Sequence, residues 1–251
     1  MIKIQNVCAG YFGKEVLHSL DLNVESGKVT VIIGPNGCGK STLLKTLIRL
    51  NPLMSGAILV DDHPIGKYSS SGLAQKIAYI SQSRKTPDIT VSRMVLHGRV
   101  PYLKYPRRYR EEDFKIVDQT MERVGIKDLS NENVSELSGG MQQKVYIAMA
   151  LAQNTPVILM DEPTVFLDIS HQLKMLNMAK ELANEGKTVV MVLHDLTQAF
   201  SYADEIVLMS DGRCLMQGTP ENVYNSGKIN EIFNIEFCRM STSDGWKYFY
   251  K

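Results

Sequence analysis

The sequence has few cysteines, almost no net charge and no long hydrophobic run. Its four cysteines, Cys8, Cys38, Cys214 and Cys238, are scattered without metal-ligand spacing. This pattern gives no disulfide framework and is typical of a reducing compartment. The 28 basic and 27 acidic residues leave a net charge of +1, so no strong positive field favours nucleic acid as a partner.

Hydrophobic runs fall far below the roughly 18 residues that a membrane-spanning helix needs. The chain begins at once with the strand-like alternation Met1-Ile2-Lys3-Ile4-Gln5, so we expect no signal peptide. Work at a membrane would therefore need another chain. With 251 residues the chain can form one large domain or two lobes, and it shows no internal repeat or low-complexity linker.

The most informative segment lies near residue 40. It reads Gly34-Pro35-Asn36-Gly37-Cys38-Gly39-Lys40-Ser41 and matches the phosphate-loop pattern G-x-x-x-x-G-K-[ST]. Glycines allow successive backbone N–H groups to form a concave anion site, because no Cβ stands in the way. Lys40 is then able to reach the β- and γ-phosphates of a nucleotide, and the Ser41 hydroxyl is a ligand for Mg²⁺.

The residues around this loop fit the same interpretation. The apolar run 29–33 predicts a buried strand before the loop, and apolar residues recur at helical spacing from Leu43 to Ile48 behind it. A helix starting there would direct the positive end of its dipole at the phosphates. Strand, loop and helix together predict that the chain binds a nucleoside triphosphate.

A second pair of motifs identifies the kind of nucleotide hydrolase. Leu137-Ser138-Gly139-Gly140-Met141 precedes a helical pattern, and the later apolar strand 157–160 ends in Asp161 and Glu162. A serine and two glycines before a helix form another N-terminus that is able to bind an anion. With the phosphate loop, these segments closely resemble the signature and Walker B motifs of ABC-type ATPases. The resemblance covers essentially the whole chain and implies an α/β P-loop fold with a mainly parallel core sheet, an antiparallel β subdomain and a helical signature subdomain.

The resemblance assigns four further residues. Tyr11 matches the aromatic residue that stacks on adenine, and Gln82 matches the glutamine that senses Mg²⁺ and the attacking water. His194 matches the switch histidine that contacts the γ-phosphate, and Asp168 matches the D-loop aspartate, which crosses the dimer interface. The expected nucleotide-binding residues are therefore Tyr11, Gly34, Pro35, Asn36, Gly37, Cys38, Gly39, Lys40, Ser41, Thr42, Ser138, Gly139, Gly140 and Asp168.

The two adjacent carboxylates have different expected roles. Asp161 would hold Mg²⁺ through water, with Ser41 and Gln82 as the other metal-site residues. Glu162 would act as the general base or orient the water for in-line attack. The expected catalytic residues are Glu162, His194, Gln82 and Lys40, and the expected cofactors are ATP and Mg²⁺.

The chain departs from the family pattern at several positions. Met141 replaces the usual glutamine of the signature, although Ser138 and the backbone donors remain, so we expect activity to survive. Val165 and Phe166 make the D-loop more apolar than is common. How the two nucleotide sites of a dimer would be coupled through this loop is therefore not predicted. Cys38 is either a thiol acidified by the helix N-terminus and reactive to alkylation or simply a small residue that fits.

The chain is organised as one ATPase domain over residues 1–251. Residues 1–82 and 155–251 predict the α/β core with its β subdomain and C-terminal tail, and residues 83–154 predict the helical subdomain. The tail is expected to end in a hairpin turning at Ser243-Asp244-Gly245. Because one chain has one phosphate loop and one signature, the resemblance implies a head-to-tail homodimer with a second copy.

Three stretches resemble the ATPase subunits of bacterial importers for iron–siderophore, haem and cobalamin: residues 95–102, 167–172 and 218–221. This implies a peripheral subunit at the cytoplasmic face of the cell membrane, bound to permease subunits and working indirectly with a periplasmic or extracellular substrate-binding protein. Ferric siderophore is the first expected cargo, ahead of haem, cobalamin or another metal complex. The alternative is a soluble ABC ATPase without a transport role, such as the iron–sulfur cluster assembly type.

The sequence leaves alternative roles for two local segments. Met94, Leu96, Tyr102 and Leu103 follow the glutamine loop and either receive the permease's coupling helix or pack in the helical subdomain. The segment 104–110 mixes four basic residues with two tyrosines, which suggests RNA binding, a solvated face or a face near anionic lipid headgroups. The last two interpretations are favoured.

Overall fold

The computed structural model describes residues 1–82, 86–165, 167–243 and 245–251. In this part of the chain every helix falls short of the length and hydrophobicity that crossing a bilayer requires. The chain folds into two compact units. The first unit comprises residues 1–67 and 176–251, and the second comprises residues 68–175.

The described residues form the strands and helices given below, each numbered in chain order. The strands are β1 (Ile2–Tyr11), β2 (Lys14–Val24), β3 (Val29–Ile33), β4 (Leu53–Val60), β5 (His63–Pro64), β6 (Ile77–Ile80), β7 (Val157–Asp161), β8 (Thr188–Val192), β9 (Glu205–Ser210), β10 (Arg213–Gly218), β11 (Phe237–Thr242) and β12 (Gly245–Tyr250). The helices are α1 (Lys40–Leu47), α2 (Ser70–Ala74), α3 (Val91–Leu96), α4 (Glu111–Val124), α5 (Gly139–Ala152), α6 (Ile169–Asn184), α7 (Leu196–Tyr202), α8 (Pro220–Asn225) and α9 (Lys228–Phe233). Short 3-10 turns lie at Ile65–Lys67, His97–Tyr102, Lys127–Leu129 and Val134–Glu136.

The first unit is built around β3, whose five residues are all buried. It pairs in parallel with β8 on one side and β9 on the other, while β10 runs antiparallel to β9. A continuous run of β-branched residues suits a strand with both faces covered. The same unit holds an antiparallel sheet in the order β2-β1-β4-β5. These findings confirm the predicted parallel core strands and antiparallel β subdomain.

The second unit combines the parallel pair β6–β7 with the mutually packed helices α3, α4 and α5. Helix α4 buries Val117, Met121 and Val124 on one face, as its spacing predicts, and ends at Gly125 in the left-handed conformation. Phe114 continues that spacing but is 52% exposed. The helix therefore carries an aromatic ring outside the core of the unit.

A buried ion pair joins α4 to the turn that follows α3. Arg99 Nε donates to Asp113 Oδ1 at 2.9 Å, and an Arg99 Nη donates to the Ala152 carbonyl at 2.8 Å. Burial acts to raise the pKa of the Asp113 carboxyl, but the Arg110 backbone N–H and the Arg99 guanidinium together lower it. The neighbouring Gly98 makes this close packing possible, because a Cβ there would lie 2.2 Å from the Met149 carbonyl oxygen.

Replacing one partner of this pair is expected to destabilise the chain. Asp113→Ala leaves the Arg99 charge buried without its carboxylate, a change that typically costs about 3–5 kcal/mol. Glu112→Ala, at the exposed neighbouring position of the same helical turn, should change stability by less than about 0.5 kcal/mol. Urea unfolding of both variants measures the difference. Equal midpoints would show that the pair adds no stability.

The C-terminal strands β11 and β12 pair as the predicted hairpin, with Thr242 opposite Gly245. Asp244 in the predicted turn and Phe166 in the D-loop lie outside the described residues. The predicted limits of the helical subdomain, 83 and 154, fall within the second unit, which also contains β6 and β7. That finer division of the domain stays a prediction.

Candidate functional site

The phosphate loop lies between the last residue of β3 and the first turn of α1. Gly37 and Gly39 have φ angles of 80° and 101°, a region that residues with a side chain rarely adopt. A Cβ on Gly34 would approach the Met209 carbonyl oxygen to 2.2 Å. The glycine spacing read from the sequence is therefore required by this backbone.

Lys40 is held inside the loop. Its side chain is buried, and Nζ donates to the Gly34 carbonyl at 2.7 Å and to the Pro35 carbonyl at 2.9 Å. These contacts place a positive charge beside the loop backbone at the N-terminus of α1. A phosphate would find there both the ammonium and the positive end of the helix dipole.

The Cys38 thiol does not have the properties of an acidified nucleophile. Burial raises the pKa of this thiol and outweighs the lowering effect of Lys40, whose Nζ lies 3.9 Å from Sγ. Of the two alternatives that the sequence leaves open, the structure supports a small residue that fits. Its backbone carbonyl accepts a hydrogen bond from Gly212 N–H at 3.1 Å, which ties the loop to the β9–β10 turn.

Tyr11 reaches the same loop from the end of β1. The Thr42 hydroxyl, in the first turn of α1, donates to the Tyr11 hydroxyl at 3.4 Å. Ser41 precedes Thr42 on that turn. The structure thus brings Tyr11 to the phosphate loop, as its expected role needs, and stacking on adenine stays a prediction.

His194 follows β8 at the same sheet edge as the phosphate loop. Strands β3 and β8 are parallel, with Ile32 opposite Val192, and Leu193 N–H donates to the Ile32 carbonyl at 3.3 Å. His194 is exposed. The first unit therefore gathers Tyr11, Lys40 and His194 at one end of its core sheet.

Tyr250 is a residue of this region that the sequence analysis missed. Its hydroxyl accepts a hydrogen bond from the Leu196 backbone N–H at 3.1 Å, two residues after His194. The hairpin is held there by aromatic packing: Phe237 and Tyr248 stack at 5.7 Å, and both contact Phe200 of α7. The aromatic run 246–250 was the available signal, but nothing in the sequence connects it to residue 196.

Tyr250→Phe is expected to slow ATP hydrolysis without a large loss of nucleotide binding. The ring stays packed, but the Leu196 N–H loses an acceptor worth about 1 kcal/mol. A loss of that size in the positioning of His194 lowers kcat by at most roughly fivefold. Tyr248→Phe, in the same strand, is the matched control. Steady-state kinetics separate kcat from KM, and equal behaviour of the two variants would contradict the role of the Tyr250 hydroxyl.

The second unit places Gln82 beside the two carboxylates. Ile80 lies opposite Met160 in the parallel pair β6–β7, so the residues that follow both strands meet at one edge. Gln82 Nε2 donates to the Glu162 carboxylate, and the Tyr79 hydroxyl donates to Asp161 Oδ2 at 3.1 Å. Asp161 is only 2% exposed, so this bond keeps a buried carboxylate hydrogen-bonded.

Glu162 has an unusual backbone conformation. Its φ of 53° lies in the left-handed region, which costs energy for a residue with a side chain. Such strained residues persist where their surroundings hold them, and they cluster at active sites. The position directly after the buried strand β7 is consistent with a side chain held for a specific task.

The signature segment forms an open helix N-terminus in the same unit. Ser138 caps α5 by accepting from Met141 N–H at 3.4 Å, and a Cβ on Gly139 would meet nothing within 4 Å. Gln143 Nε2 donates to the Pro163 carbonyl at 2.8 Å, which ties this helix to the segment after Glu162. Ser138 and Gly139 are exposed and present the helix end to solvent.

Asp168 ends the D-loop and caps α6. Its carboxylate accepts from the His171 N–H at 2.9 Å, the His171 ring at 2.8 Å and the Ser170 hydroxyl at 2.9 Å. These hydrogen bonds hold the pKa of the Asp168 carboxyl well below its usual range. The residue shapes its own loop, and its expected position at a dimer interface stays a prediction.

Comparison with known proteins identifies the family. A family model described as ABC transporter matches residues 17–165. The chain belongs to the ABC transporter family. It is 39% identical over 241 residues to the achromobactin transport ATP-binding protein CbrD of Dickeya dadantii (95% of this chain, 89% of that protein). It is 41% identical over 233 residues to the ferric enterobactin transport ATP-binding protein FepC of Escherichia coli (92% and 86%).

Solved structures support the same family fold. An inward-facing ABC transporter matches with a TM-score of 0.85 at 24% identity, over 100% of this chain and 96% of that one. A dimeric ATP-binding cassette in a post-hydrolysis state, bound to ADP and Pi, matches with a TM-score of 0.76 at 30% identity (88% and 99%). As an ATP-binding member of the family, the chain binds ATP and is an ATPase.

Proposed function

We propose that the chain is the ATP-hydrolysing motor subunit of an importer for a ferric siderophore or a related metal complex such as haem or cobalamin. The observation that carries this proposal is the 41% identity, over 92% of the chain, to a protein named for ferric enterobactin transport. An ATPase subunit does not touch the cargo. The proposal of cargo therefore depends on this kinship and on the importer-like stretches of the sequence.

The phosphate loop fits the triphosphate of ATP. Its positive-φ glycines open a concave backbone, and Lys40 holds an ammonium beside it. Tyr11 would stack on the adenine from the end of β1. Mg²⁺, when bound, neutralises charge on the β- and γ-phosphates, and it is usually held by one or two carboxylates and the phosphates themselves.

Oxygen donors of the kind that Mg²⁺ prefers are present among the proposed metal-site residues. Ser41 offers a hydroxyl, Gln82 an amide oxygen and Asp161 a buried carboxylate. Among the described residues, no group of three or more His, Cys, Asp or Glu is placed to hold a metal ion by itself. A hydroxyl, an amide oxygen and one carboxylate fit an ion whose other ligands are nucleotide phosphates and water.

Hydrolysis in this proposal depends on four side chains, whose roles are those that the family resemblance implies. Glu162 accepts a proton from the attacking water or orients it for in-line attack. Gln82, which donates to the Glu162 carboxylate, holds that carboxylate in position. His194, exposed after β8, contacts the γ-phosphate, and Lys40 stabilises the charge that develops on it.

Two copies are proposed to work head to tail. Each chain has one phosphate loop and one signature. The N-terminus of α5, with Ser138 and Gly139 exposed and Gly140 half-buried, is the proposed second anion site. In the dimer this site would bind the γ-phosphate held by the other copy, with Asp168 near the interface. The dimeric arrangement of a 30% identical cassette supports this assembly.

A groove of about 880 Å³ in the second unit is the proposed docking site for the permease. Its lining includes Ile89, Leu96, Tyr109, Phe114 and Met121. The exposed Phe114 ring is the kind of apolar surface that a partner helix covers. The groove supports the proposal that residues 83–154 are the helical subdomain that receives the permease.

The sequence left two roles open for Met94, Leu96, Tyr102 and Leu103, permease contact or packing in the helical subdomain, and the structure places these four residues differently. Both Leu96 and Met94 are buried, but Leu96 is among the residues that line this groove and Met94 is not. Tyr102 and Leu103 line a different cavity. Of the four, Leu96 is therefore the one proposed to contact the permease.

Affinity purification of the tagged chain from detergent-solubilised membranes of its host tests the importer. Mass spectrometry should identify a polytopic permease, which would place the chain at the cytoplasmic face of the membrane. The cargo would then be tested on the substrate-binding protein that partners this permease. Recovery of soluble partners alone, with the chain absent from membranes, would instead favour a non-transport ABC ATPase such as one for iron–sulfur cluster assembly.

A further inference from the structure

A basic loop, defined as residues 103–110, connects the 3-10 turn His97–Tyr102 to helix α4. Its four cations are all exposed: Lys104, Arg107, Arg108 and Arg110. The neighbouring ion pairs, Arg99–Asp113 and Lys115–Glu111, use none of them. The basic loop thus concentrates positive charge on a chain whose net charge is only +1.

Both ends of the basic loop are anchored to the second unit. Before it, the Tyr102 hydroxyl donates to the Gln153 carbonyl at 2.8 Å, and the Arg99 guanidinium lies 4.1 Å from the centre of the Tyr102 ring. At its last residue, Arg110 N–H donates to Asp113 Oδ2 at 2.9 Å. Because both ends of the basic loop are held in place, less conformational entropy is lost when its cations bind a ligand.

The basic loop borders a polar cavity of about 710 Å³. Lys104, Arg108 and Arg110 line it. The carboxylates in the lining are Glu112 and Asp113, and Arg99 already neutralises Asp113. Cations therefore outnumber the unpaired carboxylate, and the cavity favours an anionic group such as a phosphate.

Tyr105 projects from the basic loop and is 98% exposed. An exposed aromatic ring with a polar hydroxyl beside several cations is typical of side chains at a membrane interface. Single-stranded RNA would instead need several rings on which bases stack. Here Tyr102 is covered by Arg99, and Tyr109 packs edge-on against Phe114 at 6.2 Å. This arrangement favours lipid over RNA.

The position of the basic loop points to the same partner. Tyr109 lines both the cavity and the proposed permease groove, so the two surfaces are continuous. A permease docked in that groove would bring the basic loop near the bilayer in which the permease is embedded. This step depends on the proposed function, whereas the charge and the exposed Tyr105 do not.

We propose that the basic loop binds the anionic headgroups of the lipid bilayer around the permease. Phosphate groups would occupy the cavity between the cations, and the Tyr105 ring would lie at the interface. Each cation near an anionic membrane strengthens binding about fivefold. Since stable attachment takes two signals, the lipid contact adds to permease binding and does not replace it.

Cosedimentation of the purified full chain with lipid vesicles tests this. We expect binding to vesicles of phosphatidylcholine with phosphatidylglycerol, weakening as salt rises, and little binding to phosphatidylcholine alone. The double variant Lys104→Gln/Arg108→Gln should bind about 25-fold more weakly. Lys127→Gln/Lys174→Gln removes the same charge from exposed positions of the same unit and should retain most of the binding.

Equal binding to both vesicle types, or an equal loss in the control variant, would overturn the proposal. Binding of single-stranded RNA by the basic loop, without vesicle binding, would assign it to nucleic acid and equally overturn it. Permease copurification is done in detergent, without a bilayer. The two experiments therefore test the two proposals independently: vesicle binding can be absent when the permease copurifies, and present when it does not.

Discussion

Lys40→Ala is expected to abolish ATP turnover and to weaken ATP binding. The ammonium is held beside the phosphate loop by the Gly34 and Pro35 carbonyls, so its charge is fixed before the nucleotide arrives. Hydrogen bonds to charged groups contribute about 1.5–3 kcal/mol, equivalent to a roughly 10- to 150-fold loss of affinity. Loss of a fixed group that stabilises the transition state should lower kcat by a further factor of about 10²–10³.

Lys45→Ala is the matched control for that variant. Lys45 lies on the same helix, in its last turn, away from the loop. Titration of a fluorescent ATP analogue measures binding, and phosphate release measures turnover. Circular dichroism shows whether each variant folds, since Lys40 is buried and its loss removes a hydrogen-bond donor from the Gly34 and Pro35 carbonyls. Full turnover by folded Lys40→Ala would contradict the phosphate-loop assignment.

The strands that carry the site were predictable because their sequences are short, apolar and rich in β-branched residues. The expected strand 29–33 is confirmed as β3, and the strand before Asp161 and Glu162 is confirmed as β7. Residues at the carboxyl ends of parallel strands share one sheet edge. The contact between Gln82 and Glu162 follows from the pairing of β6 with β7, which the order of motifs along the chain does not give.

Other features depend on contacts that local patterns do not contain. The hydrogen bond from Leu196 N–H to Tyr250 joins residues 54 positions apart, and only the packing of the C-terminal hairpin brings them together. The sequence does not predict the buried Arg99–Asp113 ion pair either, because each residue taken alone is typical of a charged side chain at the surface. Cys38 shows the same limit, since position at a helix N-terminus predicts a lowered pKa and burial reverses it.

Glu162→Gln is expected to stop hydrolysis while ATP still binds, and so to trap a dimer. The amide keeps the size of the side chain and an oxygen that accepts from Gln82 Nε2, but it cannot take a proton from water. Loss of a general base lowers turnover by about 10²–10⁴. Light scattering should then report twice the 28.2 kDa mass with ATP and a single chain with ADP.

A second change on the signature helix tests why the dimer forms. Gly139→Asp should leave the fold intact, because a Cβ there meets nothing within 4 Å and an acidic residue suits a helix N-terminus. The same carboxylate would repel the γ-phosphate presented by the other copy. Glu162→Gln/Gly139→Asp should therefore bind ATP as a monomer. Since both variants keep the phosphate loop, a dimer that persists in the double variant would show that the signature helix does not bind the partner's nucleotide.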